Sequence, residues 1–415
     1  MPPMDTSHPP SPSIDPDAVR AWLCDAVRWP DGVSLGRVVR RRCWRSRKGA
    51  WTFELELTVG SGDGERSILL QGGLGSLDRR DRTRARCDQR WVRGLRLSSK
   101  ALGVWVCSPD RDPSLHVRDR FDPVVRGDRV VAYRVGKRCV VHRPAGGDPP
   151  GGSYMKFSSK RVSPARLALY ERVGAAVECD SGGTVHIPPI IAVDPSARMY
   201  ATRRVADGVP VACDKSGCAW AARAIAALHG ANVRADSLHA PFDELETVAR
   251  WMVSLKENRT DLYAVLDPVA AQLSTSAGAI EARDFVPVHR DYYSAQLLTN
   301  RDGLWIVDLD TLTMGHRELD IATYCAHLLY DHRGQARGGA DLVTVFMDAY
   351  RRAGPAPDQG RLSFYMGCAL VRMAAMHALR RLEPQGVVAL GQTARRIASD
   401  GLRAGLDRWK RAGLP

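Results

Sequence analysis

An acid, an amide and a second acid follow one another in the segment from Val288 to Asp310. Asp291 comes directly after a His-Arg pair, Gln296 lies five positions later, and Asp308 follows twelve positions beyond that amide, at the end of a short apolar run. Phosphoryl transfer to a hydroxyl needs such a set, because one carboxylate positions the acceptor oxygen while two oxygen ligands hold Mg²⁺ against the nucleotide phosphates. The spacing therefore predicts a kinase-type reaction.

The size and composition of the chain restrict the class of protein. Its 415 residues, 44% of them apolar, are enough for two or three domains, or for one two-lobed unit with an extension. No apolar run approaches the ~18 residues that span a bilayer, and the first ten residues lack the basic and apolar regions of a signal peptide. We therefore expect a cytoplasmic protein without a membrane segment. The ten cysteines are scattered singly, which is typical of reduced thiols.

The net charge of +14 is distributed unevenly along the chain. Residues 241–360 contain 11 Lys and Arg against 18 Asp and Glu, whereas residues 361–415 contain 10 against 3. The basic excess therefore lies outside the segment that carries the acids, and its arginines are not interleaved with aromatic residues that could stack on bases. The composition does not favour a nucleic-acid partner.

The order of strands and helices predicts two lobes. Alternating apolar residues predict strands between residues 36 and 71, and a hairpin over 130–142 with Gly136 in its turn. A strand at 153–157, a helix that begins near Ser163 and Pro164, and two further strands follow, and helical spacing dominates from Lys215 onward. The fold class that follows is α+β, with a sheet lobe and a helical lobe joined by a hinge at a cleft. The sequence contains no strand followed by GxxxxGK[ST], so a P-loop fold is not supported.

Four segments are expected along the chain. They are a disordered tail at 1–16, a β-rich extension at 17–128, an N-lobe at 129–205 and a helical C-lobe at 206–415 that carries the catalytic and metal loops. The extension begins with a helix and is too apolar to be a tail, so we expect it to enlarge the N-lobe sheet or to shield one side of it. Its polar stretch over 76–100 is expected to be a solvated helix or a loop.

Lys156 lies in a short apolar strand and is one of only eight lysines. An ammonium group in such a strand needs an anionic partner, and Glu171 on the next predicted helix is the natural one, with Glu178 and Asp180 nearby as alternatives. Together they would hold the α- and β-phosphates of a nucleotide. The alternative is an edge-strand lysine that reaches solvent. Gly136 in the hairpin turn, or Gly146 and Gly147 after it, would cover the phosphates, and the sequence does not choose between them.

Asp308 follows an apolar strand that would carry it into the interior. A buried carboxylate is costly to desolvate unless it meets a cation, and phosphate-bound Mg²⁺ is the cation that we expect there. Asp310 would share the same strand face, either as a second metal ligand or as a support. The side-chain oxygen of Gln296 would be another ligand, unless Gln296 is an ordinary polar helix residue. Asp291, which would be an exposed turn acid if it stood alone, is expected to face the acceptor hydroxyl.

These residues resemble the aminoglycoside phosphotransferase and choline kinase superfamily, relatives of protein kinases that phosphorylate small molecules. His289–Gln296 is similar to the family pattern HxDxxxxN, residues 307–310 to its Ile-Asp-aromatic-acid strand, and residues 315–322 to its Gly-Asp-Pro and Asp-Leu-Ala segment. The resemblance covers roughly residues 129–350 and implies a bilobal protein-kinase-like fold, ATP and Mg²⁺.

The resemblance also implies a role for each matching residue in this chain. Asp291 would be the catalytic acid and Lys156 the phosphate contact, helped by Glu171. The metal ligands would be Gln296, Asp308 and Asp310, and the supporting residues His289 and Asp320. Gln296 stands where Asn is usual, as in maltokinase-like members, and His316 stands where an Asp is common.

The implied reaction is ATP-dependent phosphorylation of a small-molecule hydroxyl, on a sugar, an aminoglycoside or an amino alcohol. The basic helices after Gly360 weaken the case for a polycationic aminoglycoside. A non-catalytic nucleotide-binding pseudokinase or scaffold is the alternative that the Gln and His replacements favour. A protein kinase is a third possibility, because His-Arg-Asp is typical of that family, but no Asp-Phe-Gly or Ala-Pro-Glu segment follows.

Overall fold

The computed structural model describes residues 15–27, 34–45, 51–61, 64–74, 96–99, 104–112, 114–117, 120, 127–146, 152–235, 237–333, 336–379 and 384–412. The chain forms two compact units. The first comprises Met1–Val162 with Ile191–Thr202, and the second comprises Ser163–Ile190 with Arg203–Pro415. Residues 1–14 of the expected tail lie outside the described residues.

The first unit begins with helix α1, Pro16–Ala26. The side chain of Asp15 caps the helix by accepting the N–H of Asp17 at 2.9 Å, and Pro16 occupies the first turn, where its missing N–H costs no hydrogen bond. Val19 and Leu23 on the inner face are buried against the neighbouring sheet. The sequence predicts a helix over about residues 17–30 at the start of the extension, and this helix is confirmed but ends at Ala26.

An antiparallel sheet follows, with the strand order β1-β2-β3-β5-β4. Its strands are β1 Ser34–Arg45, β2 Trp51–Ser61, β3 Gly64–Leu74, β4 Arg96–Ser99 and β5 Val104–Cys107. Phe53, Leu55, Leu57 and Val59 are all buried, because alternate residues of a strand point to the same face. The strands predicted between residues 36 and 71 are confirmed. The helix or loop expected over 76–100 is wrong for residues 96–99, which form strand β4 because they pair with β5. The rest of that stretch lies outside the described residues.

A second sheet in this unit has the order β10-β11-β8-β7-β6. Its strands are β6 Arg129–Arg134, β7 Arg138–Arg143, β8 Ser153–Ser158, β10 Ile190–Asp194 and β11 Met199–Arg203. The predicted hairpin is confirmed as β6 and β7. Leu69 of β3 and Val117 are buried in the same apolar core as Met155 and Phe157 of β8. Within the described residues the extension therefore packs against the core of this sheet and forms a sheet of its own.

The second unit is mainly helical. Its helices are α2 Pro164–Asp180, α3 Lys215–Gly230, α4 Pro241–Asn258, α5 Thr260–Ala277, α6 Glu318–Asp331, α7 Ala336–Ala353, α8 Gln359–Ala378 and α9 Pro384–Ala412. Ser163 caps α2 and Asp214 caps α3, in each case through a side-chain oxygen that accepts a backbone N–H of the first turn. α6 and α8 are buried along most of their length and form the centre of the core.

Two small sheets in the second unit set the positions of the segments that carry Asp291 and Asp308. One has the order β12-β15-β16-β9 and the other β13-β17-β14. The strands are β9 Val185–His186, β12 Val209–Pro210, β13 Leu238–His239, β14 Val286–Val288, β15 Leu297–Asn300, β16 Gly303–Ile306 and β17 Thr313–Gly315. The pairs Val288 with Thr313 and Leu297 with Ile306 are antiparallel partners. Residues 289–296, the first loop, and residues 307–312, the second loop, are thus bracketed by the same two strand pairs.

The expected α+β class is confirmed, with a sheet-rich N-terminal part and a helical C-terminal part. The predicted segment boundaries at 128 and 205 stay predictions. None of the helices that the structure describes is long and apolar enough to cross a membrane.

Candidate active site

The buried carboxylate of Asp320 holds the start of the first loop. Its Oδ2 accepts the backbone N–H of His289 and its Oδ1 that of Arg290, both at 2.7 Å. His229 on α3 donates to the same carboxylate from Nε2 at 3.2 Å, and its Nδ1 lies 2.9 Å from the hydroxyl of Tyr350. Asp320 is fully buried, so these charge-assisted bonds are not weakened by water. The backbone immediately before Asp291 is therefore fixed by α6.

His289 joins the two loops. Its Nδ1 accepts the backbone N–H of Asp291 at 3.3 Å, so the proton lies on Nε2, which donates to the carbonyl of Val307 at 2.9 Å. The hydroxyl of Thr311 donates to the carbonyl of His289 at 2.6 Å. One buried imidazole thus bonds both to Val307, which precedes Asp308, and to Asp291, the predicted catalytic acid.

Gln296 makes a second link between the loops. It ends the short 3₁₀ turn Ser294–Gln296 and is buried, and its backbone carbonyl accepts the N–H of Val307 at 2.9 Å. Val307 is therefore bonded to the first loop through both its N–H and its carbonyl. The structure brings Asp291, Gln296 and Asp308 onto one hydrogen-bonded pair of loops, as their spacing suggested.

Asp308 and Asp310 lie beyond the strand that was expected to carry them. β16 ends at Ile306, Asp308 has left-handed backbone geometry with φ of 61°, and Asp310 lies in the 3₁₀ turn Leu309–Thr311. The expectation that the two acids share one strand face is therefore wrong, because the chain turns at Asp308. Arg166 on α2 donates from Nη1 to the backbone carbonyl of Asp310 at 2.8 Å, which fixes this turn.

The donor set of these loops suits a hard divalent cation. Carboxylate and amide oxygens are the ligands that Mg²⁺ prefers. In the part of the chain that the structure describes, no three His, Cys, Asp or Glu side chains are grouped as a metal site by themselves. A cation at Asp308 would therefore need the amide oxygen of Gln296 and phosphate oxygens to complete its shell.

Two tyrosines after Asp291, to which the sequence motifs give no role, anchor the first loop. The buried hydroxyl of Tyr292 donates to the carbonyl of Ala221 on α3 at 2.7 Å, and burial raises the pKa of that phenol well above its ordinary value. The ring of Tyr293 stacks on His327 of α6, with centroids 4.5 Å apart. The aromatic pair directly after the acid was the sequence signal that could have indicated this packing.

His316, which replaces the family's common Asp, is a buried anchor. Its Nε2 lies 3.1 and 3.0 Å from the carbonyls of Glu281 and Arg283, so the proton is there, and Nδ1 accepts from the hydroxyl of Tyr365 at 2.9 Å. Burial and the charge of Arg361 lower the pKa of His316, so the ring is neutral. The replacement is accommodated by three hydrogen bonds at the start of α6.

The predicted nucleotide contacts fall in different units. In the first unit, Lys156 is half-buried on β8, with its Nζ 5.8 Å from the ring centroid of Tyr200. In the second unit, Glu171 is exposed on α2. Their predicted pairing stays a prediction.

The hairpin turn at Gly136 is bonded to the N-terminal extension. The N–H of Val135 donates to the side chain of Gln71 at 2.5 Å, and the N–H of Gly136 donates to Asp112 Oδ2 at 2.6 Å. Both acceptor residues are buried. Two amides that a phosphate-covering turn could offer are therefore already used within the first unit. Gly146 has a φ of 109°, and Gly147 lies outside the described residues.

Comparisons with known proteins agree with the motifs. Residues 182–365 match the family model described as the phosphotransferase enzyme family. No curated protein matches the chain. The match includes both loops and α6, and it supports phosphotransferase activity.

Solved structures with kinase-related names are similar at low identity. A choline/ethanolamine kinase family protein from Mesorhizobium loti is 15% identical, over 68% of this chain and 92% of that chain, with a TM-score of 0.45. An aminoglycoside phosphotransferase from Alicyclobacillus acidocaldarius is 15% identical over 71% and 94%, with a TM-score of 0.42. An amicoumacin kinase solved with AMP-PNP and Ca²⁺ is 13% identical over 65% and 88%, with a TM-score of 0.45. The family match over residues 182–365 confirms the resemblance inferred from the motifs.

Proposed function

We propose that this protein transfers the γ-phosphoryl group of ATP, with Mg²⁺, to a hydroxyl of a small molecule. The observation that carries the proposal is the double link through Val307, which bonds to both His289 and Gln296 and so holds Asp291 and Asp308 on adjoining loops. Phosphoryl transfer depends mainly on positioning and electrostatic stabilisation, and this arrangement provides positioning.

Each residue has a defined part in the proposal. Asp291 orients the acceptor hydroxyl and takes its proton as the phosphoryl group is transferred. Asp308 and the amide oxygen of Gln296 hold the cation, with Asp310 as a second carboxylate, and Lys156 and Glu171 serve the α- and β-phosphates. Mg²⁺, when bound, would neutralise negative charge on the phosphate oxygens. His289 and Asp320 position the loops and do not touch the substrate.

A non-catalytic nucleotide-binding or scaffold role is the second candidate. One observation favours it: Gln71 and Asp112 already accept the amides of Val135 and Gly136. A turn with its amides used in this way contributes less to phosphate binding, which would weaken nucleotide affinity.

The two candidates are separated by turnover of ATP in the presence of acceptors. Purified protein is incubated with Mg²⁺-ATP and with sugars, sugar acids, sugar phosphates, amino alcohols and aminoglycosides, and ADP release is followed. The proposal predicts acceptor-dependent ADP release that EDTA abolishes. Nucleotide binding without acceptor-dependent turnover across the panel supports the scaffold role.

A further inference from the structure

Two arginines lie beside the first loop, and their side chains make no hydrogen bond within the described residues. Arg290 immediately precedes Asp291, and Arg372 lies on α8, with its side chain 23% exposed. Each guanidinium carries five N–H donors. Neither side chain donates a hydrogen bond to any residue that the structure describes, and the Nε of Arg290 is buried without a partner. Buried donors in this state normally indicate bound water or a ligand.

The nearby acids leave one oxygen without a hydrogen bond beside the ten N–H donors of the two arginines, the buried Oε1 of Glu244. Glu244 on α4 is buried and accepts from His239 Nε2 at 3.0 Å through Oε2, and its Oε1 forms an ion pair with Arg372 Nε at 3.7 Å without a hydrogen bond. Asp243 accepts the N–H of Ala240 at the start of α4. Both oxygens of Asp320 are used by the first loop.

Arg372 acts on two basic groups near the first loop, Arg290 and His327. Burial, together with the charge of Arg372, lowers the pKa of Arg290, while Glu244 opposes that change. Arg372 and His377 also influence His327, the residue that stacks on Tyr293. Nitrogen donors thus line one side of the loop that carries Asp291.

The left-handed backbone of Arg290 is a second observation in favour of a specific role for this side chain. Its φ is 70°, a geometry that side chains other than Gly, Asn and Asp adopt at a cost of roughly 1 kcal/mol. Glycine or asparagine would be easier to place here. The arginine therefore occupies a position that backbone geometry disfavours, next to the predicted catalytic acid.

We propose that Arg290 and Arg372 bind an anionic group of the acceptor, a carboxylate or a phosphate, while the hydroxyl to be phosphorylated faces Asp291. The proposal rests on the proposed function and names its substrate class: hydroxylated acids or phosphate esters. Planar guanidinium groups match both anions through paired hydrogen bonds. A polycationic acceptor would instead be repelled by the two arginines.

The test compares matched acceptors that differ in charge. Glucose, gluconate, glucose 6-phosphate and kanamycin are offered with Mg²⁺-ATP, and kcat/KM is measured for each. In wild type, kcat/KM for an anionic acceptor is expected to exceed that for glucose by at least roughly 30-fold, because a buried charge pair contributes on this scale. Carboxylate and phosphate sources are distinguished by the gluconate and glucose 6-phosphate arms. Phosphorylation of glucose or kanamycin with equal or greater kcat/KM would overturn the inference and leave the proposed function intact.

Variants connect the preference to the two arginines. Arg372→Met should remove most of the preference, chiefly through KM, and Arg372→Lys should restore part of it. Arg290→Asn removes the second cation while suiting the left-handed backbone, so it keeps the test valid if Arg372→Met fails to fold. Arg395→Met, at an exposed arginine of α9, is the matched control and should behave as wild type. Preference unchanged in both site variants would contradict the proposal.

Direct binding separates this inference from failure of the proposed function. If no acceptor is phosphorylated, inorganic phosphate is titrated into each protein by calorimetry. Binding that is weakened roughly 10-fold or more by Arg372→Met and Arg290→Asn, but not by Arg395→Met, supports the anion site without catalysis. Equal binding in all four proteins, or none in wild type, overturns it.

Discussion

His289 donates from Nε2 to the backbone carbonyl of Val307 at 2.9 Å, and this bond joins the loop of Asp291 to the loop of Asp308. The two loops meet because their flanking strands pair, Val288 with Thr313 and Leu297 with Ile306. The imidazole then sets the loops relative to each other at the level of side chains. It acts as a positioning residue, since both of its ring nitrogens bond to backbone groups.

Replacing His289 tests this link. His289→Phe removes both ring bonds and should lower the free energy of unfolding by about 1–3 kcal/mol and kcat by roughly 10- to 100-fold. His289→Gln, which can still donate to Val307, should retain more activity than the Phe variant. Chemical denaturation and steady-state kinetics measure these effects. If His289→Phe keeps wild-type kcat, the imidazole does not position the loops.

Asp308 allows backbone and side-chain roles to be separated. Asn tolerates left-handed geometry and Ala does not, so Asp308→Asn should be more stable than Asp308→Ala by about 1 kcal/mol. Both variants lose the carboxylate and should lose activity by roughly 100-fold or more. Melting temperature and ATP turnover are measured on the same preparations. Substantial activity in Asp308→Asn would argue against a metal ligand at this position.

Asp112 should be a structural residue of the first unit. Its carboxylate accepts the N–H of Gly136 at 2.6 Å, the N–H of Ser114 at 3.0 Å and the hydroxyl of Tyr133 at 3.2 Å. Asp112→Ala leaves these donors without an acceptor and should cost about 2–4 kcal/mol of stability. Asp25→Ala, an exposed acid on α1, is the matched control and should change stability by less than about 0.5 kcal/mol. Equal free energies of unfolding for the two variants would show that the hairpin turn at Gly136 does not depend on Asp112 of the extension.

His327 should make stability depend on pH. Burial, followed by the charges of Arg372 and His377, lowers the pKa of His327 to about 3 from its ordinary value of 6.5. The unfolded chain takes up this proton near pH 6.5 and the folded chain only near pH 3. The free energy of unfolding therefore has its full value with respect to His327 above pH 6.5, and it decreases as the pH falls below 6.5. His327→Phe keeps a ring against Tyr293 but has no proton to bind.

The measurement compares the two proteins by denaturation at several pH values. Between pH 7 and pH 4, wild type should lose roughly 1–3 kcal/mol more stability than His327→Phe. Parallel pH profiles for the two proteins would mean that His327 titrates normally in the folded state.

The sequence predicted those features that depend on local pattern. The hairpin of β6 and β7, the helix from Pro164 and the acid-amide-acid spacing all follow from residues close together in the chain. The turn at Asp308 was not predicted, because an apolar run followed by alternating acids resembles a continuing strand.

Long-range contacts could not be predicted for a different reason. Gln71 bonds Val135 across 64 positions, and His229 bonds Asp320 across 91. Nothing in the local sequence indicates which distant donor a buried side chain will meet, because packing of whole elements decides it. The arginines beside Asp291 belong to this class as well, since Arg372 lies on a helix far along the chain.

The most direct test of phosphoryl transfer at Asp291 follows γ-phosphate from labelled ATP into the acceptor. Wild type and Asp291→Asn are incubated with Mg²⁺-ATP and the best acceptor of the panel, and the phosphorylated product is quantified by mass spectrometry. We expect product in wild type and a decrease of roughly 100-fold or more in Asp291→Asn, with unchanged melting temperature and nucleotide affinity. Product formed at the wild-type rate by a folded Asp291→Asn protein would contradict it.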